Sequence, residues 1–275
     1  MCLQSRPMHD LAFVVAGFAV GLIVGLTGVG GGSLMTPLLI FFFGVKPHMA
    51  VGTDLLFAAF TKMGGTVSLA RQRLVPWRVV GLLCAGSIPA ALVALWALDR
   101  MGPASHAAQQ IMTTTLGVAL LLTAAAMLYK AVAFSPARAA VEQARRAGVS
   151  EAEATRPRHW SLPVLMGAVI GTLVTFTSVG AGAIGVTVLL MVFPLLPLPR
   201  IIAADIAYAV PLTLVAGLGH ASLGSVDWPL LLQLLAGSLP GIWLGSRLVT
   251  RAPERLIRSA LSVLLAWAGA KLVLI

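Results

Sequence analysis

Apolar residues occupy this chain in long runs, and the polar residues fall mostly in the short breaks between them. Six runs, at about 49–70, 76–98, 107–133, 200–222, 228–249 and 255–274, each match the roughly 20 residues that a helix needs to cross a bilayer. Two further stretches, 11–43 and 161–197, are too long for one pass and are interrupted by glycines. The one long polar stretch, 134–160, carries Arg138, Glu142, Arg145, Arg146, Glu151, Glu153, Arg156 and Arg158. It reads as a solvated linker with room for a short surface helix in its middle. The pattern predicts an all-α polytopic membrane protein. Its expected units are a first membrane repeat at 1–133, a cytoplasmic linker at 134–160 and a second repeat at 161–275.

The two halves repeat each other. At an offset of 150, Gly17, Gly21, Val24, Thr27, Val29, Gly30 and Gly32 fall on Gly167, Gly171, Val174, Thr177, Val179, Gly180 and Gly182. At an offset of 151, Asp54 falls on Asp205, Trp77 on Trp228, Gly86-Ser87-x-Pro89 on Gly237-Ser238-x-Pro240, and Arg100 on Arg251. That is eleven identities in the 47 positions from Asp54 to Arg100. Apolar bias alone does not align Asp, Trp and Pro at one offset. Internal symmetry with paired glycine-interrupted segments is a pointer to a secondary transporter.

Composition agrees with a lipid environment. Only 10% of residues are charged and the mean hydropathy is +0.96, whereas a soluble domain carries about a quarter charged residues. The net charge of +10 sits in the breaks, as topogenic charge does, so no nucleic-acid partner is expected. Cys2 and Cys84 show neither paired nor metal-ligand spacing. The first apolar run is followed by no small-residue cleavage site and is read as part of the mature protein.

The charges also bear on topology. If each glycine-broken stretch crosses once, the Lys and Arg residues other than Lys62 divide 11 to 7 between the two faces. If each is a re-entrant hairpin, they divide 14 to 4, a stronger polarisation. The hairpin arrangement is therefore favoured: in each half a re-entrant hairpin plus three transmembrane helices, the halves inverted, the linker cytoplasmic and both termini outside.

Candidate chemistry gathers at the breaks, GVGGGS at 28–33 and SVGAGA at 178–183. Glycine frees the backbone dihedrals and permits close approach. A helix that begins after such a break points free amides and its positive end into the protein, which suits an anion. Thr27, Gly28, Gly30, Gly31, Gly32 and Ser33, with Thr177, Ser178, Gly180 and Gly182, are thus candidate substrate contacts. Tight helix packing by small residues is the competing reading. Lys62, in the middle of an apolar run, is either an attractor for an anion or half of a buried ion pair. Asp54 and Asp205 are either coupling-ion sites, for a proton or sodium, or carboxylates capping their helices. His48 and His220 read as residues flanking the membrane, Trp77 and Trp228 as interfacial anchors, and the Gly-Ser-x-Pro pairs as matched kinks.

The Gly28-x-Gly30-Gly31-Gly32 break, the GTDL at Gly52 to Leu55, the duplicated halves and the central linker resemble the sulfite exporter TauE/SafE family of membrane permeases. The second break, Gly180-Ala181-Gly182, departs from the triple-glycine form. The resemblance spans residues 10–275 and implies multi-pass residence in a cell inner membrane. It also implies transport of sulfite, an organosulfonate or a related anion, coupled to an ion gradient, without a cofactor or metal. A passive channel would need a continuous polar stripe, and the polar residues instead cluster at two levels. No HExxH, GxSxG or Walker loop is present. An enzyme would rest on Gly31-Gly32-Ser33-Leu34 with His48 as base.

Overall fold

The computed structural model describes residues 6–27, 32–146, 155, 160–180, 182–248 and 254–273. Among these, all regular structure is helical. The first half holds α1 (Arg6–Thr27), α2 (Gly32–Phe43), α3 (Pro47–Arg71), α4 (Trp77–Met101) and α5 (His106–Arg146). The second holds α6 (Ser161–Thr177), α7 (Ala183–Val192), α8 (Leu198–Ser222), α9 (Trp228–Leu248) and α10 (Glu254–Val273).

Four segments among the described residues are both long and apolar enough to cross a bilayer: Trp77–Met101, His106–Leu128, Leu198–Ser222 and Trp228–Gly245. Helix α3, at 25 residues, has the length, but His48, Asp54, Lys62 and Arg71 dilute its apolar character. The described apolar part of α10 is Ala260–Val273. Helix α5 continues through 134–146, where a solvated linker was expected to begin. The Ala-, Glu-, Gln- and Arg-rich sequence there favours helix once one has started. The linker residues 147–154 and 156–159 lie outside the described residues.

Many large apolar side chains face outward, Leu92, Val93, Leu165, Val169, Leu232 and Val263 among them, as lipid contact requires. Trp77 and Trp228 open α4 and α9 with exposed indoles. Near the other ends of the same helices, Arg100 lies over Trp96 at 5.3 Å and Arg247 over Trp243 at 3.8 Å. Amphipathic pairs of this kind belong at headgroup level.

The halves interlock reciprocally through glycines. A Cβ at Gly17 or Gly21 of α1 would meet the carbonyl of Leu234 or Ser238 on α9 within 3 Å. One at Gly167 or Gly171 of α6 would meet Leu83 or Ser87 on α4 just as closely. Each of these four partners is the repeat mate of another. Gly86 and Gly237 return the contact, against Val164 and Val14. The glycines of the Gly-Ser-x-Pro motifs are therefore packing surfaces, and Pro89 and Pro240 follow inside the same helices.

These contacts fix relative directions. Residue numbers rise together along α1 and α9, and along α4 and α6, so each pair runs parallel. Helix α8 follows α4: Arg200 donates to the Arg73 carbonyl just before α4, and Gly219 lies on Leu95 near its end. Along α3 and α8 the numbers run oppositely, Gly52 against His220, Gly217 against Leu56, and Gly65 against Ile206. Equivalent helices α5 and α10 are also antiparallel, Gly117 meeting Val273 and Gly269 meeting Leu121. Two apolar clusters fill the interior, and each draws on both halves. One joins Val79 and Leu83 to Val174 and Tyr208, and the other joins Val20 and Met35 to Leu234 and Leu265.

Candidate functional site

The break in the second half is built by its own sequence. Helix α6 ends at Thr177, whose hydroxyl donates to the Leu173 carbonyl at 2.6 Å and accepts the Val179 amide at 3.1 Å. That diverts the amide which would otherwise continue the ladder to the Thr175 carbonyl. Ser178 then takes a left-handed φ of 59°, and Gly180 and Gly182 follow at 129° and 142°, values that only glycine adopts without strain. Helix α7 starts after Gly182 with no side-chain cap. Of its early amides, Gly185 donates to the Gly180 carbonyl at 3.0 Å, so the expected cradle is partly closed by the loop itself. In the first half α1 ends at Thr27 and α2 begins at Gly32. Gly28, Gly30 and Gly31 lie outside the described residues, as do the side chains of Thr27 and Ser33.

Beside the second break lies a buried polar cluster built from both halves. Asp54, fully buried on α3, accepts a short hydrogen bond from the Thr36 hydroxyl on α2. Its other oxygen has no hydrogen-bond partner, and neither has the buried hydroxyl of Ser178. The two are within electrostatic reach of each other. Asp205, buried on α8, lies against the backbone of α7: a Cβ at Gly185 would collide with its Oδ1 and stand 3.3 Å from the Tyr208 hydroxyl. Each carboxylate thus faces the short helix of its own half. Lys62, buried on α3, feels both charges, that of Asp205 more strongly.

Neither aspartate is a helix cap. Pro47 starts α3 and Pro197 caps α8, so Asp54 and Asp205 sit two turns inside, and neither first turn holds an acid. The apolar runs misplaced these starts, because a proline in the first turn lets a helix begin before the run does.

Both histidines stand in terminal turns of their helices, and both are buried. His220 is fully buried and His48 nearly so, at 7% exposed. They lie at one end of the antiparallel α3–α8 pair, within electrostatic reach of each other. His220 Nε2 is 3.0 Å from the Thr175 carbonyl, the one the break leaves without its helical partner.

Thr36, Tyr208 and Gly185 belong to the cluster and escaped the sequence reading. A signal for the first was present: Thr36 precedes Asp54, and Thr187 precedes Asp205, by the same 18 residues. Buried charges of both signs, a broken helix and hydroxyl donors at the junction of two interlocked halves can hold a small charged solute and exchange it for, or carry it with, a second ion.

Comparisons with known proteins point the same way. The chain is 36% identical to "Probable membrane transporter protein YjnA" of Bacillus subtilis (strain 168), over 96% of this chain and the whole of that relative. It is 24% identical to YdhB of the same organism, over 94% of this chain and 98% of the relative. To YunE it is 26% identical, over 88% and 87%. Both of these carry the same description, a probable membrane transporter protein. No solved structure matches the chain. The sulfite exporter TauE/SafE profile matches residues 13–272. Taken with the apolar helices and the interlocked halves, the match makes this chain a multi-pass membrane protein of the sulfite exporter TauE/SafE family.

Proposed function

We propose that the protein is a secondary transporter of a small anion, sulfite or an organosulfonate, across a cell inner membrane. The observation that carries this reading is the meeting of the α6–α7 break with buried charge from the opposite half: Ser178 beside Asp54, with Lys62 along the same helix face. Lys62 supplies the attraction for the anion. Asp54 and Asp205 oppose it, so the anion is held well only when a proton or another cation neutralises a carboxylate, and this couples the two fluxes. Thr177, Ser178, Gly180 and Gly182 offer backbone and hydroxyl donors. Thr27, Gly28, Gly30, Gly31, Gly32 and Ser33 take the matching role in the first half.

The directions of the helices support inverted repeats, because a two-fold axis lying in the membrane plane makes equivalent helices run antiparallel. Helices α6 and α8 run in the same direction with the ten-residue α7 between them, which suits a re-entrant return. Alternating access is then a rocking of one half against the other around the central cluster.

The test is flux of labelled sulfite, a taurine-like sulfonate and thiosulfate in proteoliposomes, with and without a pH gradient. Wild-type protein moves at least one of them, and the gradient drives accumulation. Lys62→Ala, folded by size-exclusion chromatography, abolishes the flux; unchanged transport by that variant removes Lys62 from the mechanism.

A further inference from the structure

The break between α6 and α7 has two ends of opposite character. The start of α7 presents amides, one of which, that of Gly185, is taken by the Gly180 carbonyl. The end of α6 presents carbonyls, the negative end of its dipole, and Ser178 follows directly after it. The first end suits an anion. The second suits a cation, and the side chains beside it have the matching chemistry.

Three oxygen-bearing side chains from three segments meet there. Asp54 on α3 and Thr36 on α2 are fully buried, and Ser178 is 4% exposed. The Thr36 hydroxyl donates to Asp54 Oδ2, and its oxygen keeps lone pairs to offer. Ser178 Oγ is near enough to act on the Asp54 charge, yet makes no hydrogen bond with it. Asp54 Oδ1 is also buried without a hydrogen-bond partner. A carboxylate oxygen and a hydroxyl left side by side and unbonded are costly to bury, and a positive ion held between them satisfies both.

The charge count sets the valence of that ion. Asp54 and Asp205 carry two negative charges and Lys62 one positive charge, and Lys62 feels Asp205 the more strongly. One negative charge is left over at Asp54, in an interior where unbalanced charge is expensive. A divalent ion asks for more carboxylate, and among the described residues no three His, Cys, Asp or Glu side chains stand together to supply it. One carboxylate with neutral hydroxyls fits a monovalent ion. The short Thr36–Asp54 contact draws these oxygens close, which favours sodium over the larger potassium.

We infer that Asp54, Thr36 and Ser178 form a seat for one sodium ion, and that Asp205 is the counter-ion of Lys62. The two aspartates, equivalent in the repeat, thus take different roles. Sodium at Asp54 draws Ser178, and with it the break of the second half, onto α3 of the first, so one movement seats both cation and anion. A proton competes with sodium for the same carboxylate, so a pH gradient also acts through this seat. The groups that face Asp54 are the hydroxyls of Thr36 from α2 and Ser178 from the break, and Lys62 from its own helix. Asp205, from α8, acts on Lys62 in turn. The seat rests on the anion-transport reading for its purpose, as the source of that reading's coupling ion, while its hold on sodium is measurable with no transported anion present.

The test uses the purified full chain in detergent, with choline chloride replaced by sodium or potassium chloride at constant ionic strength. Sodium is expected to raise the thermal midpoint saturably, by about 5 °C at a hundredfold excess over its Kd, and potassium by less. Asp54→Asn is expected to abolish the shift. Ser178→Gly suits the left-handed φ at that position and removes only the hydroxyl. It is expected to weaken sodium binding about tenfold, and it carries the test if Asp54→Asn does not fold. Equal wild-type midpoints in sodium and choline overturn the seat, and a response to pH instead makes Asp54 a proton site. A sodium shift that survives unchanged in both variants also overturns it, as does one lost with Asp205→Asn and kept with Asp54→Asn. Protein that moves an anion in proteoliposomes without a sodium shift overturns the seat and leaves the transport reading standing. Protein that shows the sodium shift and moves no anion supports the seat and overturns the transport reading.

Discussion

Asp54 shows how far one buried residue depends on another. Its Oδ2 is satisfied by the Thr36 hydroxyl, and no water-exposed surface is at hand to replace that donor. Thr36→Val keeps the shape and removes the donor, so it should destabilise the protein by about 1–3 kcal/mol, read as an earlier thermal midpoint in detergent. An unchanged midpoint would mean that the contact contributes nothing. Gly180 depends on backbone conformation instead. Its φ of 129° suits glycine alone, so Gly180→Ala should cost about 1–3 kcal/mol, with a close approach to Val174 at 3.3 Å acting in the same direction. The sequence made the aspartates, Lys62 and the glycines visible, because charge and glycine are rare in apolar runs. Thr36 left only a faint trace, its spacing to Asp54 repeated by Thr187 and Asp205, and Tyr208 left none, since only the packing of α2 and α7 against α3 and α8 gives them a role.

At the scale of elements, apolar runs located the helices and missed their ends. Helix α3 begins two residues before its run because Pro47 suits a first turn, which leaves Asp54 two full turns inside the helix. Helix α5 outruns its apolar part by 18 residues, from Leu128 to Arg146, because helix propensity has no stake in whether the solvent is lipid or water. The second break was legible, its glycines being the only residues that fit φ values of 129° and 142°. The diversion of the Val179 amide to Thr177 was not, since it depends on one rotamer. Thr177→Val removes that acceptor, and it should blunt the break and lower anion flux in the same proteoliposome assay while leaving the membrane helices formed by circular dichroism.

For the molecule as a whole, the repeat predicted two like halves but not that each would be clasped by the other. The offset that aligns Gly86 with Gly237 says nothing of which helix each one meets. Contact at backbone distance leaves no slack, so Gly171→Val should cost about 3 kcal/mol, the upper end for overpacking. Gly81→Val, on the open side of α4 where a Cβ meets nothing within 4 Å, should be silent. Equal losses from the two, compared by thermal melting, would show that the glycines act through helix propensity and not through fit.

The clasp has a consequence for how the chain comes together. Helix α1 leaves synthesis long before α9, on which it lies, and α4 likewise waits for α6. Until the last third of the chain is made, the first half holds glycine-lined grooves that only its sibling can fill. Severed in the linker and produced as two polypeptides in one cell, the halves should therefore seek each other out and co-purify, while either alone is left for proteolysis.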